Sequence, residues 1–309
     1  MSAKAPYQWS EIGLDPHAFS YSDSKSFRGP CPSCGGTRRF VMFVDHEWPL
    51  QNGFCDMCGL QIKAWQKVRA QYDPARFAAF QAQRDAEEAQ RVARRIEKMA
   101  QFSNREVQEE AMHRLTLSHI DWLESQGIPQ GVQEYLRIGF TPDKAYYNKE
   151  RELMHSPAFT FPWFNADFEF KTMQYRLTND TDRRYIFEDG LGGGQHYYMT
   201  EPDRPISDKV IICEGVKKAI VTQFWLAEGF TVLAASSANT FDAALEATKN
   251  CGLRYLIFDP APNDYFQRKA VATNPKTTRI VRLPYKVDDG WAKYGLDRSI
   301  FHSLLETVI

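Results

Sequence analysis

The stretch Val210-Ile211-Ile212-Cys213-Glu214-Gly215 is an apolar run that ends in an acid and a glycine. A short apolar run bounded by a turn signal is typical of a strand buried on both faces, as in a parallel sheet. Further strands are predicted at residues 231–235, 255–258 and 279–283, with helices at residues 219–227 and 241–248. This alternation of strands and helices predicts a parallel α/β sheet.

Acidic side chains follow these strands at the points where the strands end. Glu214 and Asp259 each come directly after a predicted strand, and Asp288 and Asp289 lie beyond the last one. Ligands of an open parallel sheet collect at the carboxyl ends of its strands, and Mg²⁺ prefers oxygen ligands. The acids together predict a phosphoryl-transfer site, although any one of them alone is more often a helix cap or a solvated turn residue.

Four cysteines form two Cys-X-X-Cys-Gly motifs, Cys31 with Cys34 and Cys55 with Cys58. Two thiolates with this spacing reach one ion, and two such motifs close a tetrahedral site. The motifs predict one structural Zn²⁺, because four protein ligands leave no open position for catalysis.

Cationic and aromatic residues lie between the two cysteine motifs. They predict a surface that neutralises phosphates and stacks on the bases of a single-stranded template. A module this small also needs part of its aromatic residues as core, so each contact is a hypothesis. The residues assigned to template binding are Arg38, Arg39, Phe43, His46 and Trp48.

The middle of the chain changes composition twice. Residues 61–117 are rich in Ala, Gln, Glu and Arg, which predicts a helical connector with a solvated surface. Ser118 is predicted to cap a helix that ends at Gly127, and a second short helix follows. Beyond Pro142, short aromatic and β-branched runs separated by turn residues predict an antiparallel sheet.

The predicted fold class is therefore a multidomain α+β protein. It is divided into an N-terminal Cys₄ zinc ribbon (1–60), the helical connector (61–117), a helical pair with a basic antiparallel β subdomain (118–205) and a C-terminal α/β domain (206–309).

The formal net charge of −1 means that local clusters of Lys and Arg must provide any attraction to nucleic acid. Because no apolar run approaches the ~20 residues of a bilayer span, and Cys213 and Cys251 are isolated, a soluble cytoplasmic protein without a membrane partner is expected.

Ile211-Ile212-Cys213-Glu214-Gly215 with Ala219, followed by Leu256-Ile257-Phe258-Asp259-Pro260, resembles the Toprim domain of DnaG-type primases, topoisomerases, OLD-type nucleases and RecR recombination mediators. Upstream, Phe161-Pro162-Trp163, residues 171–176, Arg184-Tyr185 and residues 191–194 resemble the basic β subdomain that precedes Toprim in primases. The Cys₄ motifs are similar to those of phage helicase-primases. The resemblance covers most of the chain from Cys31 onward. Taken together, the three segments resemble DnaG-type and phage Toprim primases more than the other Toprim families.

This resemblance implies synthesis of short RNA primers from ribonucleoside triphosphates on a single-stranded DNA template, with the ribbon choosing the start sequence. It implies Glu214 as metal ligand or general base, Asp259 as the main metal ligand, and Asp288 and Asp289 as supports for a second ion of catalytic Mg²⁺ or Mn²⁺. Asp264, in the turn after Asp259, is a candidate to replace a metal ligand that the chain lacks. The residues assigned to substrate binding are Lys171, Arg176, Arg183, Arg184, Lys217 and Lys218.

The chain departs from the Toprim primase pattern at Lys218 and Ala261, where such primases usually carry acids. Two alternatives therefore stay open, a non-catalytic DNA-binding or recombination factor of the RecR kind and a Toprim nuclease. A topoisomerase needs a separate tyrosine domain, for which 309 residues leave little room. No GxxxxGK[ST] loop is present, so a separate replicative helicase is the expected motor, and the compact size points to a phage or mobile element in a bacterial host.

Overall fold

The computed structural model describes residues 15–23, 26–35, 37, 40–43, 53–55, 58, 61–62, 74–179, 184–192, 195–238, 240–260 and 276–307. The chain divides into two compact units, residues 1–91 and residues 92–309. The predicted α+β class with an N-terminal cysteine cluster is confirmed. The finer boundaries at residues 60, 117 and 205 stay predictions.

The first unit contains an antiparallel sheet whose strands lie in chain order. They are β1 (Ser20–Asp23), β2 (Ser26–Gly29), β3 (Phe40–Phe43), β4 (Gly53–Cys55) and β5 (Gln61–Ile62). Phe40 and Met42 are fully buried, and the ring of Phe19 packs edge-on against Phe40 at 6.3 Å. Gln61 therefore begins a strand rather than the predicted helical connector, because it pairs with Phe54.

Four helices follow, α1 (Pro74–Ser103), α2 (Arg105–His113), α3 (Leu117–Ser125) and α4 (Gln130–Tyr135). The cap of α3 is Thr116 and not the predicted Ser118, because the backbone N–H of Thr116 donates to His119 Nδ1 at 3.2 Å and fixes the turn. Gly127 follows α3 with a φ of +83°, a conformation that favours glycine. None of the helices in these ranges is long and apolar enough to cross a bilayer.

The second sheet is antiparallel, as predicted, and its strands again lie in chain order. They are β6 (Gly139–Tyr147), β7 (Leu153–Phe164), β8 (Phe170–Leu177) and β9 (Tyr185–Phe187). Pro142 lies inside β6, at a register shift between Thr141 and Lys144. A bulge tolerates the missing N–H of proline, so Pro142 does not end the strand.

A buried carboxylate joins the C-terminal part of α1 to this sheet. Glu188 is 7% exposed and accepts hydrogen bonds from Lys98 Nζ at 2.8 Å, Lys144 Nζ at 2.5 Å and the Tyr175 hydroxyl at 2.9 Å. Burial alone would raise the pKa of Glu188, but the two ammonium groups outweigh it and hold the pKa below its usual value.

The third sheet has the strand order β10-β12-β11-β13-β14, and its last four strands are parallel, as predicted. The strands are β10 (Tyr198–Met199), β11 (Lys209–Glu214), β12 (Thr231–Ala235), β13 (Leu253–Ile257) and β14 (Thr278–Val281). Its helices are α5 (Val216–Val221), which continues into a π-helical turn (Thr222–Leu226), α6 (Asp242–Ala247), α7 (Val287–Lys293) and α8 (Arg298–Thr307).

Two tryptophans pack the α3–α4 turn against this sheet's helices. Trp225 Nε1 donates to the carbonyl oxygen of Gly127 at 2.8 Å, and its ring lies 5.1 Å from that of Trp291. A Cβ on Gly127 would lie 2.8 Å from the Trp291 ring, so glycine is required there both for its φ and for this close approach.

We expect Glu188→Gln to lower the free energy of unfolding by about 3 kcal/mol, because it leaves Lys98 and Lys144 without their buried counter-charge. The control is Glu109→Gln, which removes an exposed pair with Arg105 and should cost about 0.5 kcal/mol. Urea unfolding at neutral pH measures both.

The difference between Glu188→Gln and the wild-type protein should also depend on pH. A carboxyl group whose pKa is lowered on folding contributes stability above its unfolded pKa of about 4.3, and that contribution is lost as the pH falls through the folded pKa. A penalty that is the same at pH 7 and in acid would contradict this role.

Candidate functional site

The four motif cysteines form one cluster in the first unit. Cys31 Sγ lies 3.6 Å from Cys58 Sγ, Cys34 Sγ lies 3.8 Å from Cys55 Sγ, and all four sulfur atoms lie within 4.8 Å of one another. A tetrahedral Zn²⁺ with bonds of about 2.3 Å requires sulfur atoms about 3.8 Å apart, so the cluster fits zinc.

The Cys31 thiol is adapted to bind a cation. Burial opposes its ionisation, but hydrogen bonds from the backbone of Cys34 and Ser33 outweigh this effect and lower the pKa of Cys31 to about 6. Cys31 is therefore largely a thiolate at neutral pH, which is the form that coordinates metal.

The predicted template-binding residues fall mainly outside the described parts of the chain. This applies to Arg38, Arg39, His46 and Trp48, and to the side chain of Phe43, whose backbone belongs to β3. Their contact with bases stays a prediction.

In the second unit, Glu214 and Asp259 meet at the carboxyl edge of the parallel sheet. Strands β11 and β13 are neighbours, with Cys213 opposite Ile257, so the residues that follow lie side by side. The backbone N–H of Asp259 donates to Glu214 Oε2 at 3.3 Å. Both residues line an open cavity of about 550 Å³.

Lysines are paired with most of the carboxylates in this cavity. Lys218 Nζ bonds Asp259 Oδ1, and Lys286 Nζ lies 3.3 Å from the other oxygen of Asp259. Lys217 Nζ lies 2.7 Å from Asp288 Oδ2, and Lys293 Nζ lies 2.9 Å from Asp289 Oδ1. Among the described residues, Glu214 is the cavity carboxylate that has no ion pair.

Asp288 and Asp289 reach the cavity from the first turn of α7 rather than from a strand end. The hydrogen bond from Lys293 holds the pKa of Asp289 below its usual range. Asp288 Oδ1 is buried and accepts no hydrogen bond within the described parts of the chain. It is therefore a free acceptor, whereas Oδ2 of the same group is taken by Lys217.

These ion pairs limit how many of the described carboxylates are free to bind a divalent ion. Among the described residues, one group of three or more His, Cys, Asp or Glu side chains has its ligand atoms within 4.8 Å of one another, and it is the four cysteines. The described acids of the cavity do not form such a group. A single Mg²⁺ is commonly held by one or two carboxylates together with substrate phosphates and water, which Glu214 fits. Among the described acids, Asp259, Asp288 and Asp289 each have an ammonium partner, so a second ion there would have to displace a lysine.

The predicted substrate-binding cations divide into two groups. Arg176, Arg184, Lys217 and Lys218 line the cavity, and the Arg176 guanidinium stacks 4.2 Å over the Trp122 ring. Lys171 lies on the same strand as Arg176, yet it pairs with Glu169 and does not line the cavity. Arg183 lies outside the described residues, as do Ala261 and the proposed metal ligand Asp264.

Sequence reasoning missed several cavity residues, among them Lys286, Lys293 and Tyr185. Lys293 had a local signal, because it lies four positions after Asp289 and so on the same face of a helix. Lys286 and Tyr185 had no such helical spacing, since the fold alone brings them to the cavity.

Cys213 lies immediately before Glu214 but takes no part in the cavity. It is fully buried, and its Sγ lies 3.5 Å from the Thr222 hydroxyl. Burial raises the pKa of Cys213 to about 12, so the thiol is neutral and belongs to the core.

Comparison with known proteins finds similarity at the level of structure. No family model matches the chain, and a search of curated proteins finds no match. The zinc-binding and RNA polymerase domains of Aquifex aeolicus primase align at TM-score 0.51 and 15% identity, covering 98% of this chain and 83% of that one. A DnaG primase catalytic domain bound to single-stranded DNA aligns at TM-score 0.54 and 14% identity, covering 70% of this chain and 80% of that one.

A Pseudomonas aeruginosa DNA primase domain also aligns, at TM-score 0.52 and 14% identity, covering 65% of this chain and 76% of that one. Identities this low establish the fold alone. The chain thus has the fold of primase zinc-binding and catalytic domains, which confirms the resemblance predicted from sequence.

We expect purified protein to carry one equivalent of zinc and Cys55→Ser to lose most of it, because three thiolates leave an exchangeable position. The control is Cys251→Ser, which removes a cysteine outside the cluster and should keep the full equivalent. Elemental analysis of dialysed protein measures both. A full equivalent of zinc in Cys55→Ser would rule out the four-cysteine site.

Proposed function

We propose that the protein is a DNA primase that makes short RNA primers on single-stranded DNA from ribonucleoside triphosphates. One observation carries the proposal: a primase fold in which Glu214, Asp259 and six cationic side chains face a single cavity. A primase domain of similar fold has been solved bound to single-stranded DNA, which supports a template of that kind here. On this interpretation the parallel sheet is a Toprim-type domain.

The proposed reaction joins two nucleotides. The 3′-hydroxyl oxygen of one forms a bond to the α-phosphorus of the next, and the bond from that phosphorus to the bridging oxygen breaks to release pyrophosphate. Glu214, which has no ammonium partner among the described residues, is assigned as the acceptor of the hydroxyl proton. The alternative role of Glu214 is to hold a divalent ion, which would supply positive charge beside the phosphoryl oxygens.

The cations of the cavity are assigned to the triphosphate. Arg176 is held against Trp122, so its guanidinium is oriented before the substrate arrives, and Arg184 and Lys217 line the same wall. Groups fixed in this way stabilise the charge that develops on the leaving pyrophosphate.

The zinc-bearing unit is assigned to the choice of start sequence. Unwinding is assigned to a helicase motor outside these 309 residues, because they contain no nucleotide-binding GxxxxGK[ST] loop. This division of labour fits a replication protein of a bacterial cell, or of a phage or mobile element within it.

A second candidate is a DNA-binding factor without catalysis. The observation that favours it is the pairing of Asp259, Asp288 and Asp289 with lysines, which reduces the carboxylate available to divalent ions. Such a factor would bind DNA tightly and make no product.

We expect primer synthesis from ribonucleotides and Mg²⁺ or Mn²⁺ to fall by about a hundredfold or more in Glu214→Gln, which removes the assigned proton acceptor, and in Asp259→Asn, which leaves Lys218 without its counter-charge at the sheet edge. Glu228→Gln, which alters an exposed pair with Arg298, is the control and should stay active. Gel analysis of radiolabelled products on a panel of single-stranded templates measures the yield. DNA binding with no product in any variant would establish the second candidate instead.

We expect Cys34→Ser to remove the preference among templates while nucleotide binding stays within about twofold of the wild-type value, because the zinc cluster and the cavity belong to different units. Cys251→Ser should keep the preference. Product yields on the template panel, together with equilibrium nucleotide binding, measure the two effects. An unchanged preference in zinc-free Cys34→Ser would refute the role given to the zinc-bearing unit.

A further inference from the structure

The side chain of Lys218 folds back over the turn that ends β11. Gly215 has a φ of +92°, and a Cβ at that position would lie 3.8 Å from Lys218 Nζ. From this place the ammonium group bonds Asp259 Oδ1, and the Lys218 side chain is 15% exposed. The positive charge is thus held at the strand edge by the chain itself.

The described residues of the cavity wall carry more positive than negative charge. Their acids are Glu214, Asp259, Asp288 and Asp289, and their cations are Arg176, Arg184, Lys217, Lys218, Lys286 and Lys293, a net charge of +2. A wall with this balance attracts a polyphosphate directly and offers little attraction to a divalent cation.

A divalent ion that approached Asp259 would meet two ammonium groups. It would have to displace Lys218 and then lie close to Lys286, which is 3.3 Å from the second oxygen of Asp259. Lys286 is half exposed, so solvent screens its pair more than that of Lys218. Lys218 is therefore the main obstacle to an ion at Asp259.

We propose that Lys218 acts as a built-in cation on Asp259, in the place of a second divalent ion. The described acids of the cavity then hold at most one divalent ion, on Glu214, and ammonium groups neutralise the phosphates of a nucleoside triphosphate. The identity of this substrate rests on the proposed function, whereas the limit on the number of ions does not.

The test counts Mn²⁺ ions bound to the zinc-loaded full chain, by electron paramagnetic resonance of free Mn²⁺ and without nucleotide or template. We compare the wild-type protein with Lys218→Met, which removes the ammonium, and with Lys218→Arg, which keeps a cation. Lys249→Met is the control, because Lys249 pairs with Glu246 on an exposed helix end.

We expect at most one bound Mn²⁺ for the wild-type protein, Lys218→Arg and Lys249→Met, and one further ion for Lys218→Met. This second ion should bind Lys218→Met at least about tenfold more tightly than any second ion binds the wild-type protein, because Asp259 regains its free oxygen. Two ions on the wild-type protein, or the same count for Lys218→Met, would overturn the proposal.

The ion count and primer synthesis are independent measurements. A chain that makes no primers but gains an ion in Lys218→Met would refute the proposed function and support the role of Lys218. Primer synthesis by a wild-type protein that already binds two ions would support the proposed function and refute the role of Lys218.

Discussion

The burial of β11 on both faces is the constraint on which the candidate site depends. Ile211 and Cys213 pack into one hydrophobic cluster, and Val210 and Ile212 pack into the other, so no polar side chain is tolerated along the strand interior. Glu214 is the first residue at which the strand leaves both cores. Because β12 and β13 flank β11 in parallel, everything that follows them converges on the same edge.

That convergence creates an electrostatic problem, which the chain solves with lysines. Carboxylates crowded at one sheet edge repel one another, and a partly desolvated anion needs a nearby counter-charge. Lys217 and Lys218 come from the first turn of α5, immediately after the strand, whereas Lys286 and Lys293 flank the acids of α7. Each ammonium group thus helps to position the carboxylate that it bonds. A substitution of either partner is therefore expected to move the side chain of the other.

The parts of this structure that sequence predicts are those fixed by local chemistry. The cysteine cluster follows from two short motifs, and the parallel strands follow from apolar runs whose predicted positions differ from the observed ones by a few residues at most. Errors arose where neighbours decided the outcome. Gln61 belongs to a strand because its backbone pairs with that of Phe54, and Pro142 lies in a strand because a bulge tolerates its missing N–H.

Apart from Lys293, the partners of the cavity acids could not have been predicted in the same way. Lys218 and Asp259 are far apart in the chain, and their bond depends on the register between β11 and β13. The same holds for Glu188, whose partners Lys98 and Lys144 come from a helix and from another strand. A sequence shows that these residues are charged, but burial and register determine which charges meet.

Cys213 and Cys31 differ in how readily their thiols react. Oxidants and alkylating agents attack thiolates, and Cys213, although adjacent to Glu214, is buried and protonated at physiological pH. Cys31, by contrast, ionises readily in the metal cluster. Thiol-directed oxidants would therefore act first on the cysteine cluster of the N-terminal unit, whereas burial protects the thiol that lies beside the sheet edge.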